Sequence, residues 1–343
     1  MKAMIQKIGI PLIVGTFLII VLISAHFLDL SVITLLSDTL RRVGMNGLMV
    51  LAMVPAIKSG TGPNFALPVG IVFGLFALVC CLQFNLSGFA LLATASLFAT
   101  VLCALAGYLY GKLLNAVKGA EMTIATYTGF SIAALFSILW LTLPFTNTQI
   151  TWMLGKGLRE TIQLDAFGAD QILSDLFSFS IGGVSVPTGM LLLLLLFCGL
   201  ISLFFKSKTG LAIYAGGVNP RFAEAAGLNI NRNRVIANIL STVLAGISII
   251  IYAQGFGYAQ LYSGPLLMAF PAVAAVLIGG ATASKANCIN VLVGVCLYQG
   301  LMTSAMPVAN ELFVGTDLSD MIRTIVQNGV ILYALTQVKG GAR

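Results

Sequence analysis

Long apolar runs separated by short polar intervals dominate the chain. A membrane-spanning helix needs about 20 predominantly apolar residues, and ten runs approach this length. They are residues 8–28, 43–57, 65–84, 88–111, 122–143, 188–205, 235–255, 266–280, 287–306 and 321–337. The runs are continuous rather than alternating, which favours helices over the strands of a barrel. The pattern therefore predicts an all-α polytopic membrane protein with about ten transmembrane helices.

The composition agrees with this pattern. Of the 343 residues, 59% are hydrophobic and 8% are charged, whereas soluble domains carry about 25% charged residues. The mean hydropathy of +1.02 also exceeds what a soluble domain with a single core would show. The first run follows Lys2 and Lys7 and is long for the apolar part of a signal peptide, so we expect it to be an uncleaved span.

The charges predict how the spans are oriented. With the N-terminus in the cytoplasm, most of the 18 Lys and Arg residues fall on the cytoplasmic side, together with only Glu121 and Glu224 of the 11 acidic residues. This distribution follows the positive-inside rule, so the net charge of +7 does not indicate nucleic-acid binding. Both termini are expected inside. Residues 144–187 form the longest extracytoplasmic segment, whose length predicts an interfacial helix, with a solvated loop as the alternative.

Two apolar segments are interrupted in a related way. Residues 59–70 and 258–271 each contain a Gly-Pro pair followed by a second proline. These breaks occupy equivalent positions if the single transmembrane domain, 1–343, consists of a first half, 1–143, and a second half, 188–343. An odd number of spans in each half would make the halves inverted repeats, and paired breaks of this kind indicate a transport pathway. Two unrelated loops at helix ends are the alternative.

Neutral polar and aromatic residues near the breaks are the candidates for lining such a pathway. Amide groups and aromatic faces can hold an uncharged polar solute through weak contacts. The candidates are Asn64, Phe65, Gln254, Tyr258, Phe270 and Gln299. Residues of these types within spans more often make interhelical hydrogen bonds than ligand contacts, which is the alternative for each of them.

The polar interval 206–234 contains a short helix with recognisable ends. Asn219 suits the N-cap, Pro220 the first helical position and Gly227 the C-terminal stop. The small residues of this helix would allow it to dock closely into a groove on another protein, and an ordinary capped loop is the alternative. The candidate docking residues are Arg221, Phe222, Glu224, Ala226 and Gly227.

Several function classes lack the residues that they require. The chain contains no Gly-x-x-x-x-Gly-Lys-Ser/Thr phosphate loop. Its single histidine, His26, and six cysteines within apolar runs do not supply the ligand pairs of a membrane redox enzyme. Nearly every charge falls at the end of a predicted span or in a loop, which argues against an ion-coupled secondary transporter.

Two motifs of the second half carry a resemblance. They are TGLAIYAGGVNPRFAEAAGLNI, which begins at Thr209, and AVAAVLIGGATAS, Ala272–Ser284, followed by a Gly-rich span. Their sequence and order resemble the permease subunits of bacterial ATP-binding cassette (ABC) importers of the ribose type. The stretch from Gly217 to Leu228 is also similar to a loop of the vitamin B12 importer permease. The resemblance covers most of the chain and is strongest over residues 209–300.

The resemblance implies a multi-pass protein of the bacterial cytoplasmic (inner) membrane that forms the pathway for a monosaccharide or a related small polar solute. It implies that residues 206–234 carry a coupling helix, which docks on a separate ATP-binding subunit. ATP and Mg²⁺ would bind to that partner, and this chain would hold no cofactor. The other implied partners are membrane lipid, an extracytoplasmic solute-binding protein and a second permease subunit, in a homodimer or a heterodimer.

The chain departs from the family pattern after the second span. The family typically reads Gly-Gly-Ile-Asp-Leu-Ser-Val-Gly, whereas residues 62–70 read GPNFALPVG, with neutral Asn64 in place of the acid and without the serine. This departure leaves the solute open. A nucleoside or another small metabolite is the alternative within the ABC class, and an ion-coupled secondary transporter is the alternative outside it.

Overall fold

The computed structural model describes residues 2–152, 157–282 and 285–312, together with residues 324 and 329, and side chains from residue 9 onward. Over these residues the chain is a bundle of long apolar helices with four short strands. Nine of the ten predicted spans coincide with apolar helices or helix pairs in the described part. The tenth, 321–337, lies outside the described residues except for Thr324 and Gly329.

Seven stretches of helix are long and apolar enough to cross a membrane, and two shorter apolar stretches accompany them in the described part of the chain. The long helices are α1 (Lys2–Phe27), α2 (Val32–Leu51) continued by α3 (Met53–Lys58), α5 (Gly88–Ala116), α6 (Glu121–Thr142), α8 (Thr188–Lys206), α11 (Ile230–Phe256) and α14 (Cys288–Leu312). The shorter helices are α4 (Leu67–Gln83), α7 (Ile172–Asp175), α9 (Lys208–Val218), α10 (Pro220–Ala225), α12 (Gly264–Leu267) and α13 (Ala269–Ile278).

The second span begins 11 residues before its predicted start at residue 43, at Val32. Ser31 caps this earlier start, since its hydroxyl oxygen accepts a backbone N–H of the first turn at 3.3 Å. Asp38, Arg41 and Arg42 therefore lie within α2. The hydropathy pattern placed all three before the start of the second span, whereas the helix includes them, with Asp38 and Arg42 at exposed positions.

A proline produces the step between α2 and α3. Pro55 lies four residues after Leu51, the last residue of α2, and its ring cannot accommodate the carbonyl of Leu51 in a continuous helix. The span therefore bends and resumes as α3, which ends at Lys58 beside the first Gly-Pro break.

The helices α4 and α11 form the centre of the bundle. Most residues of α4 are buried, and α11 contacts α2, α3, α4 and α5. Glycines permit this proximity, because a Cβ atom on Gly70 of α4 would lie 2.5 Å from the carbonyl oxygen of Thr242, and one on Gly107 of α5 would lie 2.8 Å from the Cα of Ile239. Small residues at the contact let membrane helices approach closely, so these positions fix how α4 and α5 pack on α11.

The outer helices present large apolar side chains to the surroundings. Examples on α1, α5, α6 and α8 are Leu12, Leu97, Ile138 and Leu203, each more than half exposed. A contiguous apolar exterior of this size suits contact with lipid rather than with water. The structure therefore agrees with the integral membrane class that the hydropathy predicts.

The described residues of 144–187 form short strands and the short helix α7, where an interfacial helix was expected. They contain β1 (Thr161–Gln163), β2 (Phe179–Ile181) and β3 (Val184–Val186), and a further strand, β4 (Tyr258–Gln260), follows α11. Strand β1 pairs antiparallel with β4, and β2 pairs with β3 around Gly182 and Gly183. Both glycines have positive φ, as the tight turn of a two-residue hairpin requires. Helix in the described part of this segment is therefore short, and the pairing with β4 ties the segment to the end of α11.

The arrangement predicts that residues 165 and 231 lie on opposite sides of the membrane, since α8 crosses the bundle between them. Cysteine variants Asp165→Cys and Asn231→Cys, both at exposed positions, should react differently with an impermeant maleimide applied to intact cells. We expect labelling of the first variant only, and labelling of the second after the membrane is permeabilised. The unsubstituted chain with its six cysteines is the background control, and labelling of both variants from one side would contradict the topology.

Candidate functional site

A cavity of about 540 Å³ lies between α2, α11, β4, α12, α13 and α14. Because β4 pairs with β1, the cavity lies toward the end of the bundle that carries residues 144–187. Its volume falls within the range of sites that hold small molecules, which is about 300–1,000 Å³. We call it the central cavity.

The wall of the central cavity combines aromatic, amide and apolar side chains with one charged group. The polar and aromatic residues that line it are Arg42, Asn46, Tyr252, Phe256, Tyr258, Gln260, Tyr298 and Gln299. Of the described residues in the lining, Arg42 alone carries a formal charge at neutral pH. Such a wall can pack against an apolar face of a solute and hydrogen-bond to its hydroxyl groups.

Two of the six predicted pathway residues line the central cavity. Tyr258 belongs to β4, and its ring meets the ring of Phe256 edge-on with centroids 5.0 Å apart. Gln299 is largely buried on α14 and faces the cavity. The structure brings these two together, and a direct role of either in transport stays a prediction.

Phe65 and Phe270 join the two Gly-Pro breaks to each other. Their ring centroids are 5.8 Å apart, and the ring of Phe130 lies 6.3 Å from that of Phe270. Neither Phe65 nor Phe270 lines the central cavity. The structure thus places the two breaks in contact, although the sequence separates them by about 200 residues.

Asn64 lies in a buried hydrogen-bond network outside the central cavity. Its Nδ2 donates to Ser241 Oγ at 2.8 Å, and its Oδ1 accepts from Tyr110 Oη at 3.1 Å. Ser241 Oγ in turn donates to the carbonyl oxygen of Ala52 at 2.6 Å. The amide therefore has the partners that a buried polar group requires, and it fixes the first break against α5 and α11.

Gln254 is also fully buried and lies outside the described lining of the central cavity. Its Oε1 accepts from the backbone N–H of Leu173 at 3.1 Å, and its backbone carbonyl accepts from the N–H of Gln171 at 2.7 Å. Gln254 therefore anchors the 144–187 segment to the last turn of α11.

Arg42 and Asn46 are lining residues that the sequence reasoning missed. Both lie on the part of α2 that faces the central cavity, one turn apart, and Asn46 Nδ2 donates to the backbone carbonyl of Arg42 at 3.0 Å. Placing the start of the second span at residue 43 removed Arg42 from consideration. Ser31, an N-cap residue directly before an apolar stretch, could have indicated the earlier start of the helix and so placed Arg42 within it.

The short helix in the polar interval has the ends that were predicted. It is α10, Pro220–Ala225, and Asn219 Oδ1 accepts the backbone N–H of Phe222 at 3.1 Å. Gly227 follows with φ +77°, and its N–H donates to the carbonyl of Glu224 at 2.9 Å. A left-handed glycine is the usual way to end such a helix, because other residues adopt this conformation only with strain.

The predicted docking residues are exposed on this helix and on the turn that follows it. Phe222 is 68% exposed, whereas its neighbour Ala223 is fully buried against the bundle. Arg221, Glu224, Ala226 and Gly227 are all exposed as well. Aromatic residues and arginine are enriched at protein–protein interfaces, so the exposed Phe222 and Arg221 fit the predicted docking role.

The interval that carries α10 packs tightly on the first Gly-Pro break. A Cβ atom on Gly217, at the end of α9, would collide with the carbonyl oxygen of Lys58 and would lie 2.9 Å from the backbone nitrogen of Gly60. Nearby, Arg234 at the start of α11 forms an ion pair with Glu121 at 2.6 Å. The predicted docking surface is therefore held directly against α3 and the start of α11.

Comparison with known proteins identifies the protein family to which this chain belongs. Residues 35–334 match a family described as the permease component of branched-chain amino acid transport systems. The chain belongs to this permease family. The match covers every described residue that lines the central cavity and includes the helix α10.

Several relatives of the permease are known by name. A galactofuranose transporter permease of Escherichia coli is 27% identical over 71% of this chain and 70% of its own length. The ribose import permease of Escherichia coli is 24% identical over 94% of this chain and 91% of its own length. An autoinducer 2 import system permease of an Enterobacter species is 28% identical over 68% of this chain and 60% of its own length. These matches confirm the resemblance to ribose-type permeases.

One solved structure covers 95% of the permease with 15% identity and a TM-score of 0.46. It is an inward-facing conformation described as that of a metal-chelate type ABC transporter. A similarity this low supports no conclusion about the site or the solute of the permease.

The contact at Gly217 predicts a loss of stability. A Gly217→Ala substitution places a methyl group against backbone atoms of Lys58 and Gly60, which cannot move as easily as a flexible side chain. Overpacking of this kind costs about 1–3 kcal/mol, so we expect a lower midpoint of thermal unfolding for the purified permease in detergent. Gly199→Ala on α8, where a Cβ would meet no atom within 4 Å, is the matched control. Equal midpoints for the two variants would contradict the packing described here.

Proposed function

We propose that the permease is the membrane-spanning subunit of an ABC importer and that it forms the pathway for a monosaccharide or a related small polar solute. The observation that carries this proposal is the match to the permease family over residues 35–334, together with relatives whose names specify galactofuranose and ribose. The central cavity supports it, because its amide and tyrosine groups suit the hydroxyl groups of a sugar.

A nucleoside is the second candidate solute, and the extent of the matches makes it less favoured. A nucleoside permease of Lactococcus lactis and a guanosine permease of Bacillus subtilis match 32% and 35% of this chain. The ribose permease matches 94% of it. The similarity to the ribose permease therefore extends over the helices that form the central cavity. The two nucleoside permeases match a much smaller part of the chain, which need not include all of these helices.

Energy for import would come from separate ATP-binding subunits. The sequence of this chain contains no phosphate loop, and the family is one of permease components. An extracytoplasmic solute-binding protein would deliver the solute to the side that carries residues 144–187. The orientation follows from the positive-inside rule, with both termini inside and the chain in the bacterial cytoplasmic membrane.

The helix α10 is the proposed contact with the ATP-binding subunit. Its exposed Phe222 can enter a pocket on that partner, and the small residues Ala226 and Gly227 permit close approach. A second permease subunit would complete the assembly, as a homodimer or a heterodimer. The two halves, 1–143 and 188–343, would form inverted repeats, which the contact between Phe65 and Phe270 at the two breaks supports.

Uptake in cells tests the proposed function. Cells that express the permease with the subunits that co-purify with it should take up a radiolabelled monosaccharide while ATP is present. We expect uptake to stop when ATP is depleted and the ion gradient is maintained, and to persist when the gradient is collapsed and ATP is maintained. The opposite result would show an ion-coupled transporter.

The docking surface predicts the effect of removing its aromatic side chain. Phe222→Ala should lower the yield of complex with the ATP-binding subunit and the solute-stimulated hydrolysis of ATP, because truncation of a buried aromatic anchor costs about 2 kcal/mol or more. Membrane insertion should be unchanged.

The control for this prediction is Phe177→Ala, which removes an aromatic side chain that is 72% exposed within the 144–187 segment. The yield of complex with the ATP-binding subunit should equal that of the unsubstituted permease. If Phe222→Ala also kept the full yield and normal hydrolysis, α10 would not be the docking element.

A further inference from the structure

The charge of Arg42 distinguishes the central cavity from a site built for a neutral sugar alone. Arg42 lies in the third turn of α2, within a helix that the structure places in the bundle. Charged side chains within spans are costly and usually face a partner or a water-filled pathway. Arg42 is exposed and lines the central cavity, the space that the solute would occupy.

The described part of the chain provides no ion-pair partner for Arg42. Over residues 9–152, 157–282 and 285–312, the ion pair found within 4.0 Å joins Arg234 to Glu121, far along the chain from Arg42. The nearest acidic residue on α2 is Asp38, which shares a separate cavity of about 210 Å³ with Arg41 and Arg42. No Asp or Glu lies among the described residues that line the central cavity.

The neighbouring Arg41 is held by a hydrogen bond to the backbone of another helix. Its Nη2 donates to the carbonyl oxygen of Gly255 at 2.7 Å, so it ties α2 to the last turn of α11. Arg41 is absent from the lining of the central cavity. Two adjacent arginines thus have different surroundings, one bonded to the backbone and the other facing the cavity.

We propose, on the basis of the proposed function, that Arg42 selects solutes that carry an anionic group, so that the central cavity takes a monosaccharide with a carboxylate or a phosphate. A guanidinium recognises either anion through paired N–H donors, and such charge-assisted bonds are stronger than bonds to hydroxyl groups. Asn46, Tyr258 and Gln299 are placed in the same wall to hold the sugar hydroxyl groups. The anion supplies the negative charge that the described lining lacks.

Protection of Arg42 from chemical modification tests the proposal on the unsubstituted permease. The permease is placed in nanodiscs of phosphatidylcholine and treated with phenylglyoxal, which modifies accessible arginines, and the modification of Arg42 is followed by mass spectrometry. D-Galacturonate and D-galactose 6-phosphate should slow this modification, whereas D-galactose, which lacks the anionic group, should not. The modification of Arg41 should be the same in all samples.

Two results of this experiment would overturn the proposal. One is an Arg42 reaction rate that neither anionic sugar lowers, or that D-galactose lowers equally. The other is protection by phosphatidylglycerol added to the nanodiscs without protection by the anionic sugars, which would make Arg42 a lipid-headgroup contact.

Transport by the complete importer gives a second readout. The ratio of galacturonate uptake to galactose uptake should fall about tenfold in Arg42→Gln, because a bond between charged groups is lost. It should fall less in Arg42→Lys, which keeps the charge but loses the paired donors. Arg41→Gln makes the same charge change on the adjacent residue and should leave the ratio unchanged. If the ratio is unchanged in Arg42→Gln while uptake still depends on ATP, the role of Arg42 is overturned and the proposed function stands. Uptake that does not depend on ATP in the unsubstituted importer overturns the proposed function.

Discussion

The close approach of α4 and α5 to α11 is the constraint on which the rest of the structure depends. Backbone atoms of α11 lie so near to Gly70, Gly74, Gly107 and Gly111 that any side chain at these positions would displace a helix. Membrane helices gain little from the hydrophobic effect between them, because lipid is equally apolar, so tight van der Waals packing must hold the bundle together. Glycine is required at these positions because there is no room for a side chain. Their backbone dihedral angles do not require it, since none of the four has a positive φ.

Because α11 is held along its length, it connects the proposed docking surface to the central cavity. Near its first turn, Arg234 bonds Glu121, and the preceding interval carries α10. Near its last turn, Tyr252 and Phe256 line the central cavity, and Gln254 secures the 144–187 segment. A displacement at the docking surface would therefore reach the cavity through one rigid helix, without any need for a flexible relay.

The sequence predicts the elements that depend on local chemistry. The apolar runs gave nine spans in the described part of the chain, and Asn219, Pro220 and Gly227 gave the ends of α10, because hydropathy and capping act over a few residues. Charges inside α2 were placed in a loop, since a hydropathy pattern excludes Asp38, Arg41 and Arg42 from a span even where a capped helix includes them.

Tertiary relations were beyond the reach of the sequence for a physical reason. Asn64 and Gln254 resemble pathway residues by type and position, yet the structure gives them partners on distant segments, Ser241 and the backbone of Leu173. A buried amide that bonds its own chain and one that faces a cavity look alike in sequence. Pairing of β1 with β4 is similarly non-local, so the sequence did not predict these strands.

The central claim is that the proposed docking surface and the central cavity are mechanically coupled through α11. The most direct measurement is the reactivity of a cysteine at Met306, in the cavity wall, toward an impermeant maleimide in the permease assembled with its ATP-binding subunits. We predict a severalfold difference in labelling rate between the nucleotide-free assembly and the assembly with a non-hydrolysable ATP analogue. Equal rates, with the analogue shown to be bound, would contradict the claim.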